Sequence, residues 1–394
     1  MSNNEPTPAV SGQPVTQDEV SSGSQTGAGS QLKVLQLCHD YQGPFQSICW
    51  QYNQAFEKHD VTTVYLKGPR SEEVIRRTGG NRVLFFEQPH LRGMKIRSIL
   101  ALARFFRKNR FNVVIAHRYK PIFLAGLMSY FFDIRLILGV AHEHDVFSRV
   151  ARSRFVTFWR TNIFIVAVSD SVFRNIAHHC PSLVADKRLA TLGHTLPEVE
   201  LMDRETARQN LNLPEGFLFG CVGRLVTKKN HQLLIKAFAR AGLGKDCFLV
   251  FFGTGPQAKK LSDMTASSGM DNQILFKGFV DWAARYYRAF DTFVFPSGSD
   301  EAYGVVLLEA MQAELPILAS NAAGPCEILG DVGIRFTMDD VDSLAVKLRL
   351  MVEQNERWRL DMGRASKRRF DSEFTISSFI EKFNNLPPIV QLTQ

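Results

Sequence analysis

The chain of 394 residues is short of the features that mark membrane-spanning, disulfide-stapled and metal-clustered proteins. No apolar run approaches the ~18 residues needed to cross a bilayer, so a membrane-spanning segment is not expected. The first residues lack a basic cluster followed by an apolar stretch, and no secretory leader is expected either. Cysteine is sparse: six residues, at 38, 49, 180, 221, 247 and 326, scattered and without CxxC spacing. That distribution argues against a disulfide framework and predicts buried thiols in a reducing compartment. Residues 1–30 contain no Lys or Arg and few large apolar side chains. They cannot bury enough surface to offset chain entropy, and the expectation is a disordered tail. Together these absences point to a cytoplasmic chain, held at most peripherally on a membrane.

Hydrophobic residues make up 45% of the chain, enough for two cores at this length. From position 33 short apolar runs recur, at 34–37, 61–66, 83–86, 113–116, 136–141 and 163–168, with helix-like stretches between them. A thinner region, 195–205, carries Pro197 and several acidic residues and reads as a connection. A second series follows at 217–222, 248–252, 273–276, 292–295 and 316–319, then helices near 341–353, 357–369 and 376–385. Strands alternating with helices give an α/β fold of two Rossmann-like, doubly wound parallel sheets, whose carboxyl edges face a cleft. The expected division is a tail (1–30), a first domain (31–200), a second domain (201–370) and a terminal helical segment (371–394).

The second half is organised around Glu301-Ala302-Tyr303-Gly304-Val305-Val306-Leu307-Leu308-Glu309-Ala310-Met311. Val305–Met311 is apolar on nearly every side, which predicts a buried helix. The polar stretch before it, 296–300, reads as a loop with capping side chains. Strand, loop, helix and strand form a βαβ unit, whose helix N-terminus offers free N–H groups to anions. Were Glu301 and Glu309 both helical, they would lie ~12 Å apart along the axis. A buried carboxylate at Glu309, among Leu307, Leu308, Ala310 and Met311, needs a partner, and a ligand is the expected one.

This segment resembles the Glu-x7-Glu signature of retaining family 4 glycosyltransferases, which have the GT-B fold. The resemblance extends to CVGRLVTKKNHQLLIKAF (221–238), FFGTGP (251–256), FKGFV (276–280) and PILASNAAGPCEIL (316–329). Each motif alone is weak; their common order across most of the second half is specific. The resemblance implies transfer of a hexose from a nucleotide-diphosphate sugar, most simply a UDP-sugar, without metal or other cofactor. Arg224 and Lys229, after Gly223, would hold the diphosphate, helped by backbone amides of Gly304, Val305 and Val306. Lys228 is the neighbour that could be confused with Lys229. Glu301 would support the reacting face of the sugar and Glu309 would accept from the ribose. Phe279-Val280 would read the base through the main chain. At the end of the run 136–141, His142 would face the donor sugar, with His144 the runner-up. The terminal helix, near 376–383, would return to pack on the first domain.

Plainer readings stand beside these. Arg224 and Lys229 could be solvated basic residues, Glu301 a first-turn glutamate favoured by the helix dipole, and Glu309 half of an interhelical salt bridge. Gly253 and Gly255 could form a plain tight turn. His142-Glu143-His144-Asp145 occurs in metallohydrolases too, but no second cluster of matching spacing supports a metal. Asp340-x-Asp342 matches metal-binding DxD in letters only and suits a helix cap. Two departures from the family pattern stand out. The first strand–helix loop, 38–44, offers one glycine, Gly43, where a pair is usual, and AAGPCE (322–327) has an alanine where a first glycine is common. Glu327 is therefore read as a structural cap.

The net charge of +8 predicts anionic partners. Lys95, Arg97, Arg104, Arg107, Lys108 and Arg110 flank apolar residues of one first-domain segment. In another, Arg149, Arg152, Arg154 and Arg160 interleave with Phe147, Phe155, Phe158 and Trp159. Either could be an ordinary surface helix or lie on an anionic membrane near a lipid-linked or glycan acceptor, such as lipopolysaccharide core. No nucleic-acid-binding motif is present. Two alternatives remain: a nucleotide-sugar epimerase of the same fold, and a non-catalytic sugar-nucleotide-binding protein.

Overall fold

The structure, a computed structural model, describes residues 31–86, 96–158 and 162–393. The expected disordered tail lies outside these residues, as do Lys95, Trp159, Arg160 and the side chain of Arg97.

Two parallel sheets form the two halves. The first comprises β1 (Lys33–Cys38), β2 (Asp60–Tyr65), β3 (Arg82–Phe85), β4 (Val113–His117), β5 (Leu136–Ala141), β6 (Ile163–Ala167) and β7 (Leu189–Thr191). Its spatial order is β3-β2-β1-β4-β5-β6-β7. The second comprises β8 (Phe217–Val222), β9 (Cys247–Phe252), β10 (Ile274–Phe276), β11 (Thr292–Phe295), β12 (Ile317–Ser320) and β13 (Ile334–Phe336), in the order β10-β9-β8-β11-β12-β13. Strands β4, β5 and β6 are buried at every residue, because helices cover both sheet faces. In each sheet the order turns back at the first strand, between β1 and β4 and between β8 and β11. Loops leaving two such neighbours diverge and open a crevice at their carboxyl ends. Most of the residues that matter below emerge from these four strand ends and from β5, with Gly253 after β9 and Phe279 after β10 beside them.

The edge strands β7 and β13 were not expected from the sequence. Each has three residues, too few for a periodic pattern, and β13 carries Arg335. The helix Ile376–Asn384 packs Phe379 and Phe383 edge-to-face against Tyr52 of the first-domain helix Phe45–Ala55, at 5.4 and 6.0 Å between ring centroids. Five of the six cysteines are buried free thiols, and Cys326 is partly exposed. The helix Ile96–Asn109 buries Leu102 and Phe106 and leaves Arg104, Arg107 and Lys108 in water. Among the described residues no helix is long and apolar enough to cross a membrane.

Candidate functional site

Beyond β8 the chain turns sharply twice. Gly223 is followed by the exposed Arg224, and a single 3-10 turn, Thr227–Lys229, ends at Asn230 in the left-handed region (φ 53°) before the helix His231–Ala241. Asn230 Nδ2 donates to Asp339 Oδ1 at 2.7 Å and braces this turn. Gly253 explains how β9 can end so close by: a Cβ there would lie 1.9 Å from the Gly223 carbonyl oxygen. Only a glycine permits that backbone approach, at φ +144°. Gly253 and Gly255 therefore shape the loop that presents Arg224 and Lys229.

Lys229 Nζ donates to Glu301 Oε2 at 2.6 Å, and the ammonium lies 5.1 Å from the centroid of the Phe295 ring. Lys228 is exposed and makes no such contact, so the two adjacent lysines are told apart. Glu301 is 8% exposed. Burial alone would raise its carboxyl, but the Lys229 charge and hydrogen bond, with Lys228 nearby, hold it below the ordinary value. It is ionised in an ion pair that no other acid shares among the described residues. Arg224, by contrast, forms no ion pair with any described residue.

Three expectations about this segment are corrected. Glu301 is not helical: the helix is Val305–Gln312, so the ~12 Å axial spacing from Glu309 does not apply. No side chain caps that helix. Its N-cap is Gly304, at φ 104°, where a Cβ would come 3.0 Å from Phe295 Cζ. The amides of Val305 and Val306 are thus left with neither an intrahelical nor a side-chain partner. Glu309, finally, has a protein partner: Tyr287 donates its hydroxyl to Oε2 at 2.5 Å. Burial pushes this carboxyl up to about 7, against the opposing effects of the Tyr287 hydrogen bond and the Lys229 charge.

At the end of β5, His142 stands in a column of three imidazoles. His142 Nε2 lies 3.1 Å from His117 Nδ1, and the His142 and His194 rings stack at 5.3 Å and 13°. His194 meets the Tyr303 ring edge-on at 5.1 Å, and Tyr303 donates its hydroxyl to the His194 carbonyl at 3.0 Å. The column so joins the first-domain strand ends to the loop that carries Glu301. Burial lowers all three rings, His117 and His194 to about 3, so the column is neutral near pH 7. His144 is elsewhere, at 3.1 Å from the Ser171 hydroxyl. The two histidines of the HxHD stretch therefore share no ligand position. Among the described residues Cys38, Cys49 and His117 lie close enough for a metal, yet both ring nitrogens of His117 are already engaged. Asp340 caps the helix Val341–Glu353 by accepting from Ser343 N at 2.9 Å, as its position suggested.

The remaining expected residues sit at the rim. Gly43 is exposed on the loop after β1, with open space where a Cβ would be. Phe279 is 75% exposed, and its loop is tied to the glycine turn by a bond from Gly253 N to the Gly278 carbonyl at 2.7 Å. Glu327 is a cap, though not of its own helix. Both carboxylate oxygens accept from Asp170 N, at 2.8 and 2.9 Å, across to the first-domain helix Asp170–His179. At another point Arg77 of the first domain pairs with Asp281 at 2.7 Å and lies 4.0 Å over the Trp282 ring. A separate pocket of about 300 Å³ opens behind the Lys229 turn, between Thr227, His231 and Asp339, and none of the expected site residues lines it.

Residues 203–369, the second domain, match the family described as Glycosyl transferases group 1. Over 184 residues the chain is 29% identical to the lipopolysaccharide core biosynthesis glycosyltransferase LpsD of Rhizobium meliloti, covering 45% of this chain and 52% of LpsD. Across the first curated relatives the match spans about half of the relative's length or less. A glycosyltransferase of Rickettsia africae superposes with a TM-score of 0.78 at 14% identity, covering 92% of this chain and 99% of that one. The Anabaena protein HepE, in complex with UDP-glucose, superposes with a TM-score of 0.77 at 16% identity, over 89% and 98% of the two chains. These likenesses establish the GT-B fold.

Proposed function

We propose that this chain is a retaining, metal-independent glycosyltransferase that moves a hexose from a nucleotide-diphosphate sugar, UDP-linked, to a surface-glycan or lipid-linked acceptor. The observation that carries the reading is the Lys229–Glu301 pair at 2.6 Å, set before a helix N-terminus that no side chain caps. In transfer the bond from the anomeric carbon to the phosphate oxygen breaks, and the acceptor oxygen forms the new one. The acceptor's proton passes to the departing diphosphate. Lys229, Arg224 and the amides at Val305 and Val306 supply positive potential where that negative charge develops, a role that otherwise falls to a metal ion. Glu301, whose second oxygen is not bonded to Lys229, holds sugar hydroxyls, while Glu309 receives the ribose and the Phe279–Val280 backbone reads the base. His142 and the Gly43 loop close over the sugar from the first domain. LpsD acts in lipopolysaccharide core biosynthesis, and an acceptor of that kind suits the exposed Arg104, Arg107 and Lys108 as a peripheral contact with an anionic membrane.

The test is thermal stabilisation by UDP-, GDP-, ADP- and dTDP-sugars with and without chelator, followed by product analysis. Stabilisation by a UDP-sugar that chelator leaves unchanged, with Glu301→Gln folded but inactive, is the expected result. Dependence on added metal, or an epimerised free nucleotide sugar as product, would overturn it.

A further inference from the structure

We propose that Gln36, acting through His117, fixes which nitrogen of His142 carries the proton and leaves His142 Nδ1 as a hydrogen-bond acceptor for the donor sugar. This rests on the nucleotide-sugar reading only for the identity of the ligand; the tautomer follows from the protein alone. Two backbone carbonyls fix the first amide. Asn53 Nδ2 lies 2.9 Å from the Thr78 carbonyl and 3.1 Å from the Gly79 carbonyl. Carbonyls only accept, so the nitrogen of the Asn53 amide must point there and its oxygen must point the other way. That oxygen lies 2.8 Å from Gln36 Nε2, which also lies 3.0 Å from the Cys49 carbonyl. The Gln36 amide is thereby oriented too, and its Oε1 faces His117 Nε2 at 2.8 Å.

An oxygen acceptor at that distance requires a proton on His117 Nε2. The ring is neutral, since burial, with His194 and Arg118 nearby, disfavours its charge, so its Nδ1 is bare. A bare nitrogen 3.1 Å from His142 Nε2 requires the proton of His142 to be on Nε2. His142 is neutral by the same causes, so its own Nδ1 is bare in turn. Among the described residues this atom has no hydrogen-bond partner, and it is not one of the buried unpaired atoms. It is left open to a ligand. A second amide fixes the neighbouring ring. Gln51 Oε1 accepts from Thr195 N at 2.9 Å, which turns Gln51 Nε2 toward His194 Nδ1, also at 2.9 Å. His194 presents a bare Nδ1 to Gln51 and stacks on His142 without competing for its proton.

A bare Nδ1 accepts from a sugar hydroxyl and repels a carboxylate or carbonyl oxygen. His142 thus selects a sugar that donates a hydrogen at that position. Gln36 and His117 are positioning residues.

The experiment is long-range ¹H–¹⁵N NMR of the full chain carrying ¹⁵N-histidine, with His142 assigned from its loss in His142→Gln. The expected spectrum has His142 protonated at Nε2 and bare at Nδ1. Adding UDP-glucose should shift Nδ1 as it gains a hydrogen bond. Gln36→Leu should mix the two tautomers and raise the donor KM by about three- to tenfold, the worth of one neutral hydrogen bond. A wild-type His142 protonated at Nδ1 overturns the proposal, and that spectrum needs no variant to fold. An unchanged His142 pattern in a folded Gln36→Leu overturns it as well. If UDP-glucose raises the melting temperature yet leaves Nδ1 unmoved, the sugar contact is wrong. If no nucleotide sugar binds at all, the function reading fails, while the ligand-free spectrum still decides the tautomer.

Discussion

Replacing Glu309 by glutamine should make the ligand-free protein more stable, and only at neutral to alkaline pH. Burial holds this carboxyl at about 7 against an ordinary value of 4.5, despite the Tyr287 hydroxyl and Lys229. Each pKa unit corresponds to about 1.4 kcal/mol, so keeping the carboxylate ionised in the fold costs roughly 3 kcal/mol. The folded pKa lies above the unfolded one. The acid form's contribution is therefore complete below about pH 4.5 and is lost as pH rises through about 7. Glu309→Gln keeps an oxygen to accept from Tyr287 and cannot ionise. Urea unfolding at pH 8 should find the variant more stable by up to roughly 3 kcal/mol, and at pH 5 nearly equal to the parent. A difference that does not change with pH would refute the assignment of the strain to this carboxyl. The same linkage bears on the proposed ribose contact. Hydroxyl donors favour the carboxylate, so nucleotide binding near pH 7 should release a proton, read by calorimetry in buffers of different ionisation enthalpy. No buffer dependence would remove Glu309 from the nucleotide site.

Three further outcomes follow from the geometry. Gly253→Ala should destabilise the second domain by at least about 2 kcal/mol, since its Cβ would collide with the Gly223 carbonyl at a backbone angle that alanine disfavours; a parental unfolding midpoint would refute this. Lys229→Met should cost about 3 kcal/mol at pH 7 by leaving Glu301 buried and unpaired. The Glu301 carboxyl is depressed in the parent, so this gap should narrow as pH falls and the acid protonates; a gap that persists in acid would count against the pair. Glu327→Ala should remove about 1 kcal/mol of cap and enlarge the radius of gyration in solution scattering, and an unchanged profile would mean that the interdomain contact does not hold the halves together.

The central strands could be read from the sequence because they are buried on both faces and so appear as unbroken apolar runs, as in Leu136–Ala141 and Phe217–Val222. The edge strands β7 and β13 are too short to leave such a mark. Lys229 and Glu301 were recognisable through their motifs, but their direct pairing was not, because it depends on a 3-10 turn and a left-handed Asn230. Gln36, His117 and His194 were missed. Two of them did leave a signal: a glutamine in the middle of KVLQLC and a histidine closing VVIAH are polar groups in strands that read as fully buried. Each needed a partner. That each supplies the other's follows only once β1 lies beside β4, a pairing of segments about 80 residues apart that local periodicity does not encode. His194 lies in an irregular stretch and carried no pattern at all. Glu309 was placed correctly among apolar neighbours, but Tyr287 sits on a 3-10 segment whose approach the sequence does not announce.

The Glu327 cap bears on the proposed turnover as well as on stability. The helix Asp170–His179 has its own cap in Ser169, which accepts from Val172 N at 3.2 Å, and the Asp170 amide that Glu327 holds from the other half exchanges that partner for water whenever the halves separate. The loss is therefore small, on the order of 1 kcal/mol, and the exposed Arg77–Asp281 pair adds about as little. Contacts of that size weight an equilibrium by roughly tenfold. In the proposed transfer such a clasp would hold the reactants together long enough for chemistry and still let the spent nucleotide leave, so the speed of that cycle would be written partly into two weak contacts remote from the reacting bond.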